Sequence, residues 1–199
     1  MTHAQGTNAF YDAWAATGQE SAHSAISRHF AGAFAPGARV LDVGCGTGRD
    51  LAVLRQMGFD ACGVEPHGAM RARAIQLHPA LAGRIAPASL PDLGQPFGGG
   101  FDAVVCSAVL MHVTADALPA SLAALNAVLV PSARVLMAVP EMRPDLLVDG
   151  RDPDGRAFTN HAPEHVARLM AALGFALVDR AEIAMPSTDT QWRVLLFGR

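Results

Sequence analysis

The chain has 199 residues and a formal net charge of −3, and 51% of its residues are hydrophobic against 17% that are charged. This composition predicts a single domain with a large apolar core, and the acidic balance disfavours a broad nucleic-acid-binding surface. All 15 basic residues are arginines, which excludes a lysine Schiff base and the lysine-containing P-loop. No apolar stretch is as long as a membrane span and no signal-peptide pattern is present, so we expect a cytoplasmic protein with no membrane partner.

The first part of the chain predicts helices that cap the domain. Residues 10–14 fit a short helix, and residues 21–34 fit a longer one in which Ile26, Phe30 and Phe34 recur at every fourth position. We therefore expect an N-terminal helical cap over residues 1–37.

From residue 38 onward, strand and helix patterns alternate until two strands end the chain. Apolar runs predict strands at residues 40–43, 59–64, 83–86, 101–106, 134–139, 175–183 and 192–198. Amphipathic stretches predict helices at residues 49–57, 66–77, 118–129 and 163–173. This order predicts a mainly parallel sheet with helices on both faces and a turn at Pro186–Asp189 between the last two strands. Residues 140–162 are rich in Pro, Asp and Gly and predict an insertion or lid over a substrate.

A glycine-rich turn follows the first predicted strand. Gly44, Gly46 and Gly48 stand at every second position, and Asp42 precedes them by two residues. Because glycine has no Cβ, this backbone can turn sharply and let a ligand approach the N–H groups at the start of the next helix. The spacing differs from the G-x-G-x-x-G dinucleotide fingerprint, and a carboxylate beside the turn suits a cation better than a pyrophosphate.

This turn resembles motif I of the class I S-adenosylmethionine (SAM)-dependent methyltransferases, and the resemblance extends over about residues 38–199. It implies a three-layer α/β/α Rossmann-like sandwich in which a seven-stranded, mainly parallel sheet has an antiparallel last strand. It also implies a single methyltransferase domain over residues 1–199, SAM as cofactor and S-adenosylhomocysteine as product. The cofactor-binding residues implied in the turn are Asp42, Gly44, Cys45, Gly46 and Gly48.

Other residues of the implied cofactor site follow the next two strands, since ligands of open α/β sheets bind at the carboxyl ends of the strands. By similarity, Glu65 accepts hydrogen bonds from the ribose hydroxyls, with Pro66 beside it; a solvated carboxylate at a strand end is the alternative. No acid stands where the family usually contacts adenine. Ser89 and Leu90 are therefore the predicted adenine neighbours.

The segment after the fourth predicted strand supplies the remaining candidates. By similarity, Ser107 and Val109 lie near the methionyl part of SAM, and His112 is the first candidate for a base or an acceptor-positioning group. A structural histidine is the alternative for His112. Tyr11 is a second catalytic candidate that could close over the cofactor together with Trp14, and packing is the alternative for both aromatic residues.

Three polar residues at the ends of the 140–162 segment, Glu141, Arg143 and His161, are candidates to face the acceptor, although each could equally be a solvated loop residue. The eight histidines show no metal-binding pattern, so no metal is expected. The three cysteines lack C-x-x-C spacing and are predicted to be buried and reduced.

The leading hypothesis is a SAM-dependent methyltransferase that acts on an oxygen, nitrogen or carbon atom of a small molecule. A non-catalytic SAM-binding partner protein and a nicotinamide-dependent oxidoreductase are the alternatives. No nucleic-acid partner is expected, and both a monomer and a homodimer fit the sequence.

Overall fold

The structure is a computed structural model that describes residues 3–17, 26–184 and 190–199. Its strands are β1 (Arg39–Val43), β2 (Asp60–Val64), β3 (Ile85–Ala86), β4 (Phe101–Ser107), β5 (Leu129–Met142), β6 (Ala176–Ala184) and β7 (Thr190–Gly198). They form one seven-stranded sheet in the order β3-β2-β1-β4-β5-β7-β6.

The strand directions agree with the prediction. β1 pairs in parallel with β2 and β4, β2 with β3, and β4 with β5. β7 is antiparallel to both β5 and β6. The mainly parallel sheet with an antiparallel last strand is therefore confirmed, whereas the predicted turn at 186–189 lies outside the described residues.

Six α-helices are present in the described ranges. They are α1 (His3–Thr17), α2 (Phe30–Ala33), α3 (Arg49–Gln56), α4 (Gly68–Leu77), α5 (Leu118–Ala127) and α6 (Pro163–Ala172). Short 3₁₀ turns occupy Ser27–His29, Pro79–Leu81, Pro96–Gly98, Leu110–His112 and Pro144–Leu146. No helix within the described part of the chain is long and apolar enough to cross a membrane.

Both faces of the sheet are covered, which gives the predicted three-layer sandwich. Leu122 of α5 and Val166 of α6 belong to the buried cluster that contains Val104 of β4. Phe30 of α2 and Leu54 of α3 belong to a second buried cluster on the opposite side. Because both layers bury apolar surface against it, the sheet is a rigid support for the loops at its carboxyl edge.

Two boundaries near β5 differ from the prediction. Leu129 was predicted to end α5 but is the first residue of β5, where it pairs with Phe101, because leucine spacing alone does not show where a helix stops. β5 also extends beyond its predicted end, since Pro140 and Met142 remain paired with β7. The predicted 140–162 segment therefore begins inside a strand.

The predicted N-terminal cap contains two different environments. α1 is longer than the predicted helix at 10–14. Ile26 and Phe30 are completely buried in the same cluster as α3, so this part of the chain contributes to the core. Of the described residues of the predicted cap, those over the sheet edge belong to α1.

Candidate functional site

Two adjoining cavities lie at the carboxyl edge of the sheet. The first, here called the Glu65 cavity, has a volume of about 400 Å³. The second, here called the Asp42 cavity, has a volume of about 310 Å³. Both are lined by Tyr11, Gly44, Gly46, Met70 and Ala108. These shared walls make the two cavities neighbouring parts of one cleft, in the size range of small-molecule sites.

Most of the predicted site residues lie on these walls. The Glu65 cavity is additionally lined by Glu65, Pro66, Ser89, Leu90, Val109 and His112, and the Asp42 cavity by Asp42, Cys45 and Ser107. Residues that are predicted from four separate stretches of sequence are thus brought together at one edge. Their roles toward a cofactor stay predictions.

The first glycine of the turn is held in place by backbone contacts. The N–H groups of Gly44 and Cys45 both donate to the carbonyl oxygen of Val64, over 2.8 and 3.0 Å. Gly44 has a φ of 69°, and a Cβ at this position would overlap a methyl group of Val109. Only glycine satisfies both requirements, so the turn stays thin where the two cavities meet.

Gly48 packs closely against neighbouring elements, and its predicted contact with the cofactor stays a prediction. It precedes α3 with a φ of 81°, and a Cβ there would lie 2.6 Å from Cδ1 of Leu81 and 3.2 Å from Cβ of Ala74. It lines neither cavity. Its structural contribution is close helix packing, which positions the start of α3.

The Glu65 carboxyl group is fixed at the end of β2. It is 8% exposed, and its oxygens accept hydrogen bonds from the N–H groups of Gly46 at 3.0 Å and His67 at 2.8 Å. Burial raises the pKa of Glu65, while these two bonds oppose that rise. Because a carboxylate oxygen has more than one lone pair, Glu65 can still accept hydrogen bonds from a ligand in the cavity.

The Asp42 carboxyl group lies near the end of β1 in a less satisfied environment. It is 2% exposed, and its Oδ2 has no hydrogen-bond partner among the residues that the structure describes. Burial, followed by the negative charge of Asp50, raises the pKa of Asp42 well above its ordinary value. A buried acceptor without a donor is costly, so a cationic or hydrogen-bond-donating ligand would be stabilised here.

Tyr11 and His112 form a hydrogen-bonded pair between α1 and the segment after β4. Nδ1–H of His112 donates to the carbonyl oxygen of Ala157 over 2.8 Å, so Nε2 is left to accept from the Tyr11 hydroxyl, also over 2.8 Å. Burial lowers the pKa of His112 and raises the pKa of Tyr11. Both side chains are therefore neutral near pH 7, with the proton on the phenol oxygen.

A cap over the two cavities is formed by α1 and residues 148–158. Thr7 Oγ1 accepts from the N–H of Ala157 over 2.8 Å, and the guanidinium carbon of Arg156 lies 4.5 Å from the ring centre of Phe10. Gly6 packs so closely on Arg151 that a Cβ would lie 2.5 Å from Nη1. The N-terminal helix and the predicted lid segment are therefore one interlocked unit.

Asp152 organises the loop part of this cap. Its side chain is buried, and its Oδ1 accepts from the N–H groups of Asp154 and Arg156 over 3.1 and 2.9 Å. Its Oδ2 accepts from Nε of Arg156 over 2.6 Å. Since the Arg156 side chain lines the Asp42 cavity, Asp152 determines where that cation lies.

The three candidates at the ends of the 140–162 segment line neither of these two cavities, and their contact with an acceptor stays a prediction. Glu141 lines a separate cavity beside α6. Arg143 pairs with Asp145 in an exposed position. His161 is buried, and its Nε2–H donates to the carbonyl oxygen of Val113 over 2.9 Å. Loop polarity alone did not distinguish these residues from Arg156.

Sequence reasoning did not select Arg49, His67, Arg156 or Trp192, although all four line the cleft. Arg49 and His67 immediately follow the two predicted loops, so their position was an available signal. Trp192 reaches the cleft because β7 pairs with the extended end of β5, opposite Pro140, and no local pattern shows that register. Within the described ranges, no group of His, Cys, Asp and Glu residues could hold a metal ion.

The chain resembles known proteins at three levels. Residues 14–180 match a family described as a methyltransferase domain. Ubiquinone biosynthesis O-methyltransferase of Xanthomonas campestris pv. campestris is 36% identical over 80 residues, a segment that covers 39% of this chain and 34% of that protein. The curated relatives are thus matched over about a third of their length.

Solved structures with low sequence identity share the fold. Magnesium protoporphyrin IX methyltransferase from Synechocystis PCC 6803, solved with bound SAM, is 19% identical with a TM-score of 0.67 and covers 98% of this chain and 80% of its own. The (4+2)-cyclase SpnF is 16% identical with a TM-score of 0.73 and covers 100% of this chain and 97% of its own. These similarities confirm the Rossmann-like sandwich but not a reaction, because proteins of this fold carry more than one chemistry.

The family match covers most of the described domain, including the glycine turn, Asp42 and Glu65 of the cleft and the 148–158 part of the cap. It confirms the family that the motif at residues 42–48 predicts. The chain belongs to the methyltransferase domain family.

Proposed function

We propose that this protein is a SAM-dependent methyltransferase that transfers a methyl group to a small molecule. The observation that carries the proposal is the buried Oδ2 of Asp42, which has no donor among the described residues and lies beside the glycine turn. SAM carries an ammonium group and a sulfonium group and no phosphate. A lone buried carboxyl oxygen suits such a cation and would repel a pyrophosphate.

The remaining walls fit the other parts of SAM. Glu65 would accept hydrogen bonds from the ribose hydroxyls while the N–H groups of Gly46 and His67 hold it in place. Ser89 and Leu90, which line the same cavity, would lie beside the adenine. The Arg49 guanidinium lines the Asp42 cavity and would pair with the methionyl carboxylate.

The strand order supports a division of the cleft into two halves. Glu65 and Ser89 follow β2 and β3, which lie on one side of β1, whereas Ser107 ends β4 on the other side. The Glu65 cavity would thus hold the adenosine and the Asp42 cavity the methionyl group. An acceptor would approach from the side of β4, β5 and β7.

SAM supplies a methyl group on a positively charged sulfur, and its transfer depends on alignment and on exclusion of water more than on covalent help from the protein. The cap would exclude water, because α1 and residues 148–158 lie over both cavities. Tyr11 would position an acceptor that loses a proton, since its oxygen keeps lone pairs for an incoming hydroxyl or amine. The acceptor's proton would pass to the Tyr11 oxygen while the phenol proton passes to Nε2 of His112, which becomes an imidazolium.

Calorimetric titration of the protein with SAM, S-adenosylhomocysteine and NADH tests the proposal. Binding of the first two and not of NADH is expected, and Asp42→Asn should weaken SAM binding. Asp92→Asn is the matched control, because Asp92 is exposed and lines neither cavity. Absence of SAM binding by the unmodified protein would rule the proposal out.

Transfer of tritium from labelled SAM to a metabolite extract separates an enzyme from a non-catalytic SAM-binding protein. The fold relationship to the cyclase SpnF makes this second experiment necessary. Incorporation into small molecules supports a methyltransferase, and the labelled product identifies the acceptor atom as oxygen, nitrogen or carbon. SAM binding without incorporation into any extract fraction would favour the non-catalytic alternative.

A further inference from the structure

Trp192 has a buried hydrogen-bond donor for which the described residues provide no acceptor. Its Nε1 is shielded from solvent and has no partner among the residues that the structure describes. The residue lines the Asp42 cavity. An indole N–H can only donate, and a buried donor without an acceptor is costly. A ligand in the cavity that carries an acceptor atom would satisfy this donor.

The position of Trp192 in the sheet separates it from the proposed adenosine contacts. It lies on β7, opposite Pro140 of β5 and Ile183 of β6. In the sheet order, β4 and β5 lie between β1 and β7, whereas Glu65 and Ser89 follow strands on the far side of β1. Trp192 is therefore on the side from which an acceptor would approach.

A second donor lines the same cavity from the cap. Arg156 donates to the carboxyl groups of Asp152 and Asp154 over 2.6 and 3.3 Å, and its guanidinium has more N–H groups than these two bonds use. Burial raises the pKa of Tyr11, and Arg156 opposes that rise through its charge and through a side-chain hydrogen bond to Tyr11. The Arg156 guanidinium therefore acts electrostatically on the hydroxyl of Tyr11, a residue that lines both cavities.

The same part of the cavity has an aromatic wall. Trp14 lines it and stacks on Phe10 with ring centres 5.9 Å apart and planes inclined by 26°. Phe10 in turn lies beneath the guanidinium of Arg156. This packing fixes the Trp14 ring as a flat apolar surface next to the two donors.

We infer that the acceptor is a small aromatic carboxylate whose carboxylate group is held by Trp192 Nε1–H and Arg156, with its ring against Trp14. The inference rests on the proposed function and names the substrate class of that site. Both groups are donors without acceptor capacity, so they select an acceptor-bearing ligand, and hydrogen bonds to an ionised oxygen are stronger than those to a neutral one.

The acidic residues of the cavity do not contradict an anionic acceptor. Asp50 pairs with Arg49 at 3.2 Å. Asp42 would be matched by the ammonium group of SAM in the ternary complex. Arg156 forms ion pairs with Asp152 and Asp154, so it offers the acceptor the N–H donors of its guanidinium and not an unbalanced charge.

The test is calorimetric binding of paired probes to the protein saturated with S-adenosylhomocysteine. Each pair consists of an aromatic carboxylate and its primary amide, which has the same shape but no charge. The carboxylates are 4-hydroxybenzoate, 3,4-dihydroxybenzoate, 4-hydroxyphenylacetate and indole-3-acetate. At least one carboxylate should bind about tenfold more tightly than its amide. Trp192→Phe, which keeps an aromatic ring and removes the N–H, should reduce that preference several-fold.

Two controls separate this inference from the proposed function. Trp192→Phe should bind S-adenosylhomocysteine within about twofold of the unmodified protein, and Gln191→Ala, a change at an exposed neighbour on β7, should leave the carboxylate preference intact. If S-adenosylhomocysteine binds but every carboxylate binds no better than its amide, the inference fails and the proposed function stands. If Trp192→Phe weakens S-adenosylhomocysteine and leaves the probe preference unchanged, Trp192 contacts the cofactor and the inference is overturned.

Discussion

The glycine turn and the cap enclose the same cleft but are stabilised by different interactions. In the turn, Gly44 and Cys45 donate to Val64, and the space that a side chain would need is filled by Val109. In the cap, a threonine hydroxyl, a cation over an aromatic ring and a tyrosine–histidine bond connect segments that are distant in sequence. The turn is thus rigid because of its backbone, whereas the cap is closed by a few side-chain contacts.

This difference has a thermodynamic consequence. The turn belongs to the sheet, whose strands are covered on both faces, so it can change only at the cost of core packing. The cap contacts are individually worth about 1 kcal/mol each, so local opening of α1 and residues 148–158 requires far less free energy than unfolding of the domain. We expect substitutions in the turn to abolish binding and substitutions in the cap to adjust it.

The largest effect is expected from Gly44→Ala. An alanine at a φ of 69° is strained, and its Cβ would overlap Val109. SAM affinity should fall about 100-fold or more, and the free energy of unfolding should fall by about 1–3 kcal/mol. Calorimetry and urea unfolding measure the two effects.

Gly83→Ala is the matched control for this substitution. Gly83 also has a positive φ, of 75°, but no atom lies within 4 Å of the position that a Cβ would occupy. The Gly83→Ala variant should be less stable because of backbone strain alone, and its affinity for SAM should be unchanged. Equal loss of affinity in the two variants would contradict the close contact between the turn and Val109.

Asp42→Asn should lower SAM affinity about 30-fold at neutral pH. It should also remove the pH dependence that Asp42 gives to stability and to SAM affinity. Because folding raises the pKa of Asp42, the folded ligand-free protein holds a proton that the unfolded chain releases. The contribution of Asp42 to the free energy of unfolding is largest below the ordinary carboxyl pKa. It is lost as the pH rises through the raised pKa of the folded protein. SAM affinity should change in the opposite sense and increase with pH over the same interval.

Thermal unfolding and titration at several pH values measure both slopes. Asp42→Asn should flatten each of them, while Asp92→Asn should leave both unchanged. A pH dependence of SAM affinity that survives in Asp42→Asn would assign it to another group, of which Glu65 is the nearest candidate because burial also raises its pKa.

Tyr11→Phe tests the cap where it meets the reacting groups. The change removes the hydroxyl that donates to His112 Nε2 and keeps the ring. Methyl transfer to a hydroxyl acceptor should slow about tenfold, while SAM affinity stays within about twofold. A parallel loss of affinity and rate would mean that Tyr11 only packs against the cofactor.

The smallest effect is expected from Thr7→Val, which removes the acceptor of the Ala157 N–H and keeps the side-chain shape. Loss of about 1 kcal/mol from the closed cap corresponds to roughly fivefold faster exchange of the Ala157 amide hydrogen. Thr17→Val is the control, because the Thr17 hydroxyl donates to the local carbonyl oxygen of Trp14 near the end of α1. Unchanged exchange in Thr7→Val would show that other contacts close the cap.

The two regions also differ in how far the sequence predicts them. The turn is encoded locally, since the strand, the glycines and Asp42 lie within a few residues of one another, and Glu65 follows the next strand. The Tyr11–His112 bond joins residues 101 positions apart, and the Thr7–Ala157 bond joins residues 150 positions apart. Periodicity contains no information about such contacts, so the sequence predicts that both segments cover the site but not that they interlock.

The same limit explains the wrong boundary at Leu129 and the surroundings of three candidate site residues. Leu129 continues the leucine spacing of α5, but pairing with Phe101 places it in β5. His161 and Glu141 are polar residues of the predicted lid. His161 donates a hydrogen bond to a backbone carbonyl oxygen, and Glu141 lines another cavity. Gly48 fits the glycine pattern, while its actual neighbours are Leu81 and Ala74. In each case the local sequence fits two structural environments equally well, and a tertiary contact determines which of them the residue has.

The hydrogen bond from His112 Nδ1 to the carbonyl oxygen of Ala157 bears on how this protein could acquire a new acceptor. Residues 148–158 are an obvious segment to exchange in evolution or engineering, because they border the proposed acceptor side and lie outside the sheet. The same segment fixes which ring nitrogen of His112 carries the proton. An exchanged loop that lacks a carbonyl at this position would release the imidazole to its other tautomer, with Nε2 protonated and Tyr11 without its acceptor. A change of this loop thus affects both the choice of acceptor and the tautomer of His112. Whatever its side chains, a transplanted loop must place a backbone carbonyl oxygen where that of Ala157 lies.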